Sequence, residues 1–240
     1  MSNNETPPSR PSPKSPSSPA PSWWRPDEFE RRADFLVSRA GMVKSLREFF
    51  DRRGYVEVET PALQASPGME PHLTAFATTI HDIAGDGRPV FLHTSPEFAM
   101  KKLLAAGMQR IFQLARVFRD GERSARHHPE FTMLEWYRTG ADWRELADEA
   151  AEFVRGACGP IVQYNGEACD LAQPWEYLSV AEAFEKYAGI DLLATASDPA
   201  NPDTDQLAFM ADGIGVRSAE TDTWEDVFFR IYLDRIEPHL

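Results

Sequence analysis

FRDGERSARHHPEFTMLEWYR, residues 118–138, consists of two strand-like flanks around a polar turn. The runs at 111–118 and 131–137 are rich in aromatic and branched residues, and a long antiparallel hairpin is the simplest way to join them. Between them Arg119, Glu122, Arg123, Arg126, His127 and His128 crowd into a loop, where side chains are free to converge on a ligand. A charged, solvated turn would account for the loop alone. The second strand argues for more. Its alternation places Phe131, Met133, Glu135 and Tyr137 on one face, so that an aromatic plate, a carboxylate and a phenol point the same way. Such a face can bind an aromatic base and a cationic amine.

Toward the N-terminus, Phe29, Ala33, Leu36, Val37, Ala40, Val43, Leu46, Phe49 and Phe50 recur at three- and four-residue steps, which predicts a long amphipathic helix from 27 until Gly54. Tyr55-Val56-Glu57-Val58-Glu59 then alternates like a strand and is halted by Thr60-Pro61. Strands at 74–80 and 90–93 flank the turn-rich 82–87 and form a second hairpin. Ser95 as N-cap, Pro96 at the first helical position and the apolar face of Phe98, Met100, Leu103 and Leu104 predict a helix over 95–106, ended by Gly107. Beyond the central hairpin, helices are expected at 142–157, 180–188, 205–214 and 223–236, with a short hairpin at Tyr164-Asn165-Gly166. Helices and strands alternate without regular βαβ units, so the fold class is α+β with an antiparallel sheet flanked by helices.

The 240 residues are 42 % hydrophobic and 26 % charged, an ordinary globular composition. No apolar run approaches the roughly 18–20 residues of a membrane span, and no signal-peptide core stands at the N-terminus, so a cytoplasmic chain without membrane contact is expected. Residues 1–22, almost all Pro, Ser and other polar types, cannot bury enough surface to order themselves and read as a disordered tail ahead of a domain over 23–240. Cys158 and Cys169 are expected to be core thiols, and the six tryptophans, Trp23-Trp24 included, packing residues. His72, His81, His93 and His239 lack metal-ligand spacing, and no P-loop, GxSxG or GxGxxG occurs. Of the net charge of −13, the excess acidity lies in residues 139–240, with 6 basic and 21 acidic side chains. That part offers no surface suited to gripping a polyanion.

The central hairpin resembles motif 2 of the class II aminoacyl-tRNA synthetases, and Gly54-Tyr55-Val56-Glu57-Val58-Glu59-Thr60-Pro61 after its long helix resembles motif 1 with its terminal proline. Thr94-Ser95-Pro96-Glu97 and His128-Pro129-Glu130-Phe131-Thr132-Met133-Leu134-Glu135-Trp136-Tyr137 are similar to the lysine-type members. Within these, Leu134-Glu135-Trp136-Tyr137-Arg138 is most similar to the free-standing paralogues of lysyl-tRNA synthetase that join (R)-β-lysine to a lysine of elongation factor P. The resemblance runs from about Arg32 to Leu240. Ahead of motif 1 stand only the tail and one helix, too little for the anticodon-binding barrel of a lysyl-tRNA synthetase, and a protein acceptor is expected in place of tRNA.

The resemblance implies an ATP-dependent ligase that activates (R)-β-lysine or lysine as an adenylate. Attack of a carboxylate on the α-phosphate builds negative charge that a fixed guanidinium stabilises, and Arg119 is the catalytic residue expected to do this. Phe131 is expected to stack on adenine, with Asp120, Gly121, His127 and His128 at the ATP site and Glu122 on either the nucleotide or the substrate amino group. Two departures from the family pattern stand out: Arg119 and Glu122 are separated by two residues where the family has one, and His127-His128-Pro129 replaces His-Asn-Pro. A lysine-like substrate needs carboxylates for its ammonium groups; Glu135 and Tyr137 form one set, and Ser95, Pro96 and Glu97 the second. By resemblance the chain forms a homodimer through motif 1. The family's third motif, and the acidic residues before it that hold Mg2+, have no match after Tyr137, so the chain is expected to be incomplete at its C-terminus, with the Mg2+ ligands outside it. Two further readings stay open: a catalytic-domain fragment of a lysyl-tRNA synthetase, and a catalytically silent binding module.

Overall fold

In the computed structural model, residues 24–68, 70 and 72–240 are described. The expected tail at 1–22 and Trp23 lie outside them. The chain divides into two compact units, one up to Ala172 and one from Gln173 to Leu240.

The first unit begins with α1 (Pro26–Asp51), followed by a turn that closes at Gly54, where φ is +73°. Only its last turns are buried, through Leu46, Phe49 and Phe50. Phe35, Leu36, Val37 and Met42, on the part predicted to be amphipathic, are exposed. The apolar stripe therefore exists in sequence, but among the described residues only its C-terminal end is buried.

Two three-stranded sheets follow. One is β1 (Val56–Glu57), β5 (Arg110–Phe118) and β6 (Glu130–Arg138), in the order β1-β5-β6; the other is β2 (Leu63–Gln64), β4 (Gly87–Leu92) and β3 (Ala77–His81), in the order β2-β4-β3. The β3–β4 and β5–β6 hairpins are antiparallel, as predicted. The first sheet is nonetheless mixed, because β1 runs parallel to β5, with Val58 N–H extending the pairing to Phe112 O at 2.9 Å. A parallel partner needs a crossover connection, and the whole of β2 to α2 (Glu97–Ala105) intervenes here.

On one face of the first sheet, Phe112 stacks on Phe50 with ring centroids 4.6 Å apart, and Tyr55 meets the same ring edge-on at 5.1 Å. Leu114, Leu134 and Trp136 pack against this cluster, as does Phe153 of α3 (Trp143–Cys158). α3 opens with a capping box, Asp142 accepting from Arg144 N–H and Glu145 from Asp142 N–H, at the predicted boundary. With α1 and α3 covering that face, the other face of the hairpin is left to carry the site.

The unit closes with β7 (Ile161–Tyr164) and β8 (Glu167–Asp170), joined by Asn165 and Gly166 at φ +50° and +85°, as a two-residue hairpin turn requires. Cys158 and Cys169 are both exposed, contrary to their expected place in a core: Cys158 ends α3, and Cys169 sits on a hairpin whose strands are solvent-exposed throughout. The tryptophans divide similarly. Trp136 and Trp224 pack against the two cores, whereas Trp24, Trp143 and Trp175 are exposed.

The second unit holds α4 (Val180–Ala188), α5 (Thr204–Gly213) and α6 (Trp224–Ile231), all near their predicted positions. α6 runs on into a π-turn over Tyr232–Ile236. Phe184, Leu207, Ala211, Val227, Ile231 and Ile236 form the core of this unit. No helix among the described residues is long and apolar enough to cross a membrane.

Candidate functional site

The β5–β6 register decides which side chains share the open face: Val117 lies opposite Phe131, Ala115 opposite Met133, Gln113 opposite Glu135 and Ile111 opposite Tyr137. Opposed residues of an antiparallel pair project to the same side. The four β5 members are buried and form a floor, and the β6 members above them are half-buried.

At the Glu135 end, three of the sequence-predicted substrate residues form one hydrogen-bonded group. Ser95 Oγ donates to Glu135 Oε1, and Tyr137 Oη donates to Glu135 Oε2 at 2.8 Å. Ser95 Oγ in turn accepts from Glu97 N–H at 3.0 Å, which ties the start of α2 to the sheet. Pro96 is buried beneath this turn. Glu97, Glu135 and Tyr137, with Leu146 of α3, line a cavity of about 290 Å3. The Glu97 carboxylate also pairs with Lys101 one turn along α2, at 2.5 Å. Burial pushes the Tyr137 phenol well above the ordinary tyrosine range, and its hydrogen bond to Glu135 and the charges of Glu135 and Glu97 push it further. It is therefore an O–H donor at any physiological pH.

At the other end of the strand stands Arg119. Its guanidinium lies over the Phe131 ring, 5.3 Å from the centroid, with Nη1 3.9 Å from Glu122 Oε1 and Nε 3.4 Å from Thr94 O. The backbone holds the start of the loop: Arg119 N–H donates to Pro129 O at 2.9 Å and Asp120 N–H to Thr74 O at 2.7 Å. Gly121 follows at φ +83°, a conformation that favours glycine. Thus Arg119, Glu122 and Phe131 come together, with Asp120 and Gly121 beside them. His127 and His128 lie exposed on the outer loop, where Ser124 Oγ accepts from His127 N–H at 3.1 Å and lies 2.9 Å from its Nδ1.

Sequence reasoning missed Gln113. It is buried beside Glu135, and its Oε1 accepts from Thr60 Oγ1 at 3.0 Å, so the residue just before Pro61 is tied to the floor of the site. The available signal was a lone amide on the otherwise apolar inner face Ile111, Gln113, Ala115, Val117.

Residues 28–222 match the family of class II tRNA synthetases specific for aspartate, lysine and asparagine. The chain belongs to this family. Among its relatives, this synthetase-family chain is 40 % identical to a protein named elongation factor P–(R)-β-lysine ligase from Avibacterium paragallinarum, over 68 % of the chain and 47 % of the relative. It is 39 % identical to a protein of the same name from Pseudoalteromonas translucida, over 85 % and 58 %. It is also 33 % identical to a lysine–tRNA ligase from Burkholderia cenocepacia, over 85 % and 44 %. The chain spans about half the length of the curated relatives it matches. Membership implies the use of ATP and Mg2+ in general. Among the described residues no group of three or more His, Cys, Asp or Glu could hold a metal ion. The described residues therefore offer no such cluster to Mg2+.

Proposed function

We propose that this chain carries the nucleotide and amino-acid sites of an ATP-dependent ligase that activates (R)-β-lysine or lysine as its adenylate and passes the acyl group to a lysine of elongation factor P. The observation that carries the reading is the grouping of Ser95, Glu135 and Tyr137 beside Glu97 at one end of a strand whose other end holds Arg119 over Phe131. Glu135 stands four residue steps along the strand from Phe131, about 13 Å at the usual rise. A ribose and the reacting phosphate fit between them.

In the first half-reaction a carboxylate oxygen of the amino acid attacks the α-phosphorus of ATP, and pyrophosphate leaves with the electron pair of the broken P–O bond. The Arg119 guanidinium meets the charge building on the phosphoryl oxygens. Phe131 offers its ring to adenine, and Asp120, Gly121, Glu122, His127 and His128 supply the rest of the nucleotide contacts. Glu135 has two of its carboxylate lone-pair positions taken by Ser95 and Tyr137, and the remaining positions serve a substrate ammonium, with Glu97 as the second carboxylate. In the second half-reaction the acceptor lysine amine attacks the acyl carbon, AMP leaves, and an amide forms with loss of a proton from the amine.

The reading takes residues 23–240 as the catalytic region, in the cytoplasm, with the exposed face of α1 as the seat of a homodimer. Amino-acid-dependent ATP–pyrophosphate exchange, run with lysine and (R)-β-lysine and with Arg119→Ala as control, tests the first step. Transfer of labelled amino acid to elongation factor P tests the second. A chain or longer version that charges tRNA and leaves elongation factor P unmodified would support instead the lysyl-tRNA synthetase reading, which the similarity to lysine–tRNA ligases favours. Amino-acid binding without pyrophosphate release in every version would mark a silent binding module.

A further inference from the structure

The two three-stranded sheets share no strand, yet the site takes residues from both: Ser95, Pro96 and Glu97 follow β4, and Arg119 follows β5. Something must hold the ends of β4 and β5 in register. His93 lies between them, only 2 % exposed. Its Nε2 is 2.6 Å from Arg116 O on β5, and because a carbonyl can only accept, Nε2 carries the proton and donates. Its backbone carbonyl accepts from Phe118 N–H at 3.1 Å, and its backbone N–H donates to Ala62 O at 2.9 Å. Its other ring nitrogen, Nδ1, is buried and has no hydrogen-bond partner among the described residues. An imidazole buried with one nitrogen unsatisfied is costly compared with an apolar residue of similar size, so its place needs a reason beyond packing.

We propose that His93 is a positioning residue: by clamping the end of β4 to β5 it sets Thr94 O against Arg119 Nε, and so sets the distance between the carboxylate end of the site and the guanidinium. Thr94 is itself fixed from behind, its Oγ1 donating to Pro67 O at 3.0 Å. The next residue, Ser95, makes the hydrogen bond to Glu135. One ring thus stands between the two halves of the site and bonds to neither the residues proposed for the nucleotide nor those proposed for the amino acid. Displacement of reacting groups by about 1 Å can cost on the order of a hundredfold in rate. The functional consequence rests on the ligase reading above; the geometric clamp does not.

The test compares His93→Leu, which keeps bulk and loses the donor, with His93→Gln, whose amide N–H reaches the same carbonyl. The first readout is NMR of the 240-residue chain, which needs no activity. The wild-type imidazole shows the Nε2–H tautomer, and hydrogen-exchange protection of the Arg119 Nε–H and Phe118 amide falls at least tenfold in His93→Leu and returns to within about threefold in His93→Gln. Protection unchanged in a folded His93→Leu, or the Nδ1–H tautomer in the wild type, overturns the clamp. If His93→Leu fails to fold, the tautomer and the Gln variant decide the same question. The second readout is affinity for a non-hydrolysable lysyl-sulfamoyl adenosine. His93→Leu weakens binding at least tenfold in the wild-type background and less than threefold on top of Arg119→Ala, because the clamp acts through the arginine. Equal losses in both backgrounds would overturn the positioning role. A wild-type chain that ignores the analogue but keeps the NMR signature would count against the ligase reading and leave the clamp standing.

Discussion

Replacing Glu135 with Gln keeps the volume of the side chain and removes its charge at the point where the site is proposed to receive an ammonium group. In the native arrangement Ser95 Oγ and Tyr137 Oη each donate to a separate oxygen of the Glu135 carboxylate. An ammonium held by this half-buried group makes a charge-assisted hydrogen bond, worth about 1.5–3 kcal/mol net. At 1.4 kcal/mol per decade this predicts an affinity for lysine, or for (R)-β-lysine, roughly 10–150-fold lower in Glu135→Gln. Part of the loss comes from the new amide, which presents an N–H to one of two hydroxyls that previously donated. Isothermal titration calorimetry with L-lysine and (R)-β-lysine measures the loss directly, and 6-hydroxynorleucine separates its causes. The hydroxyl analogue keeps the α-ammonium and lacks the terminal one: where Glu135 holds the terminal ammonium, its affinity falls much less and the preference for lysine over it collapses, and where Glu135 holds the α-ammonium, both ligands weaken together. A folded Glu135→Gln protein that binds lysine within twofold of wild type, with the preference intact, would refute the assignment of Glu135 as the ammonium partner.

Three other outcomes follow from the structure. Tyr55 Oη donates to Glu149 Oε2 at 2.6 Å with both residues buried and Arg53 Nε 3.9 Å away. Tyr55→Phe strands that carboxylate and lowers stability in urea by about 1.5–3 kcal/mol. Adding Glu149→Leu recovers part of the loss, whereas strict additivity of the two changes would contradict the coupling. In the second unit, hydrogen bonds from Ser179 hold the Glu182 carboxyl below its ordinary value, and those from Thr223 hold Asp226 below its own. A lowered folded pKa means stabilisation that is complete above the unfolded value and lost as pH falls through the folded one. Circular dichroism melts between pH 7 and 3 should therefore show a fall confined to the acid side, and Glu182→Gln should flatten part of it. Finally, Phe35→Asp with Leu36→Asp places charge on the exposed face of α1. Sedimentation equilibrium should then report the monomer mass where the wild type reports twice that value, and an unchanged mass would remove α1 from the dimer proposal.

Which parts of this molecule were legible in its sequence depends on how local the deciding interactions are. Helix boundaries at 142–143, 179–180 and 223–224 were readable because each is set by a capping box of residues three apart, and the β5–β6 and β7–β8 hairpins because alternation and a turn lie within one short stretch. The face carrying Phe131, Glu135 and Tyr137 was readable for the same reason. The parallel pairing of β1 with β5 was not, since it joins Val56 to Ile111 across the whole second sheet and nothing in either strand announces its partner. The same distance problem misplaced the cysteines. An apolar-looking Cys158 at a helix end and Cys169 in a strand read as core residues, but both are exposed, Cys169 on a hairpin whose strands are solvent-exposed throughout.

The residues of the site itself divide along the same line, and the division carries a mechanistic point. Residues proposed to touch a ligand (Arg119, Phe131, Glu135, Tyr137) are chemically conspicuous and sit in one hairpin, so their side-chain types alone drew attention. The residues that set distances, Gln113 and His93, are visible only after the two sheets are assembled, because each acts on a partner from another strand: Gln113 on Thr60, and His93 on Arg116. A hairpin could present the right groups without them. What it could not do is hold Ser95, which arrives from the other sheet, against Glu135 while Arg119 stays over Phe131. The two-substrate chemistry proposed for this chain places that demand on the fold, since an amino acid held at one end of a strand and a nucleotide at the other react only if the separation between the two ends is fixed. The buried polar residues between the sheets, costly to stability on their own, are the groups positioned to fix it.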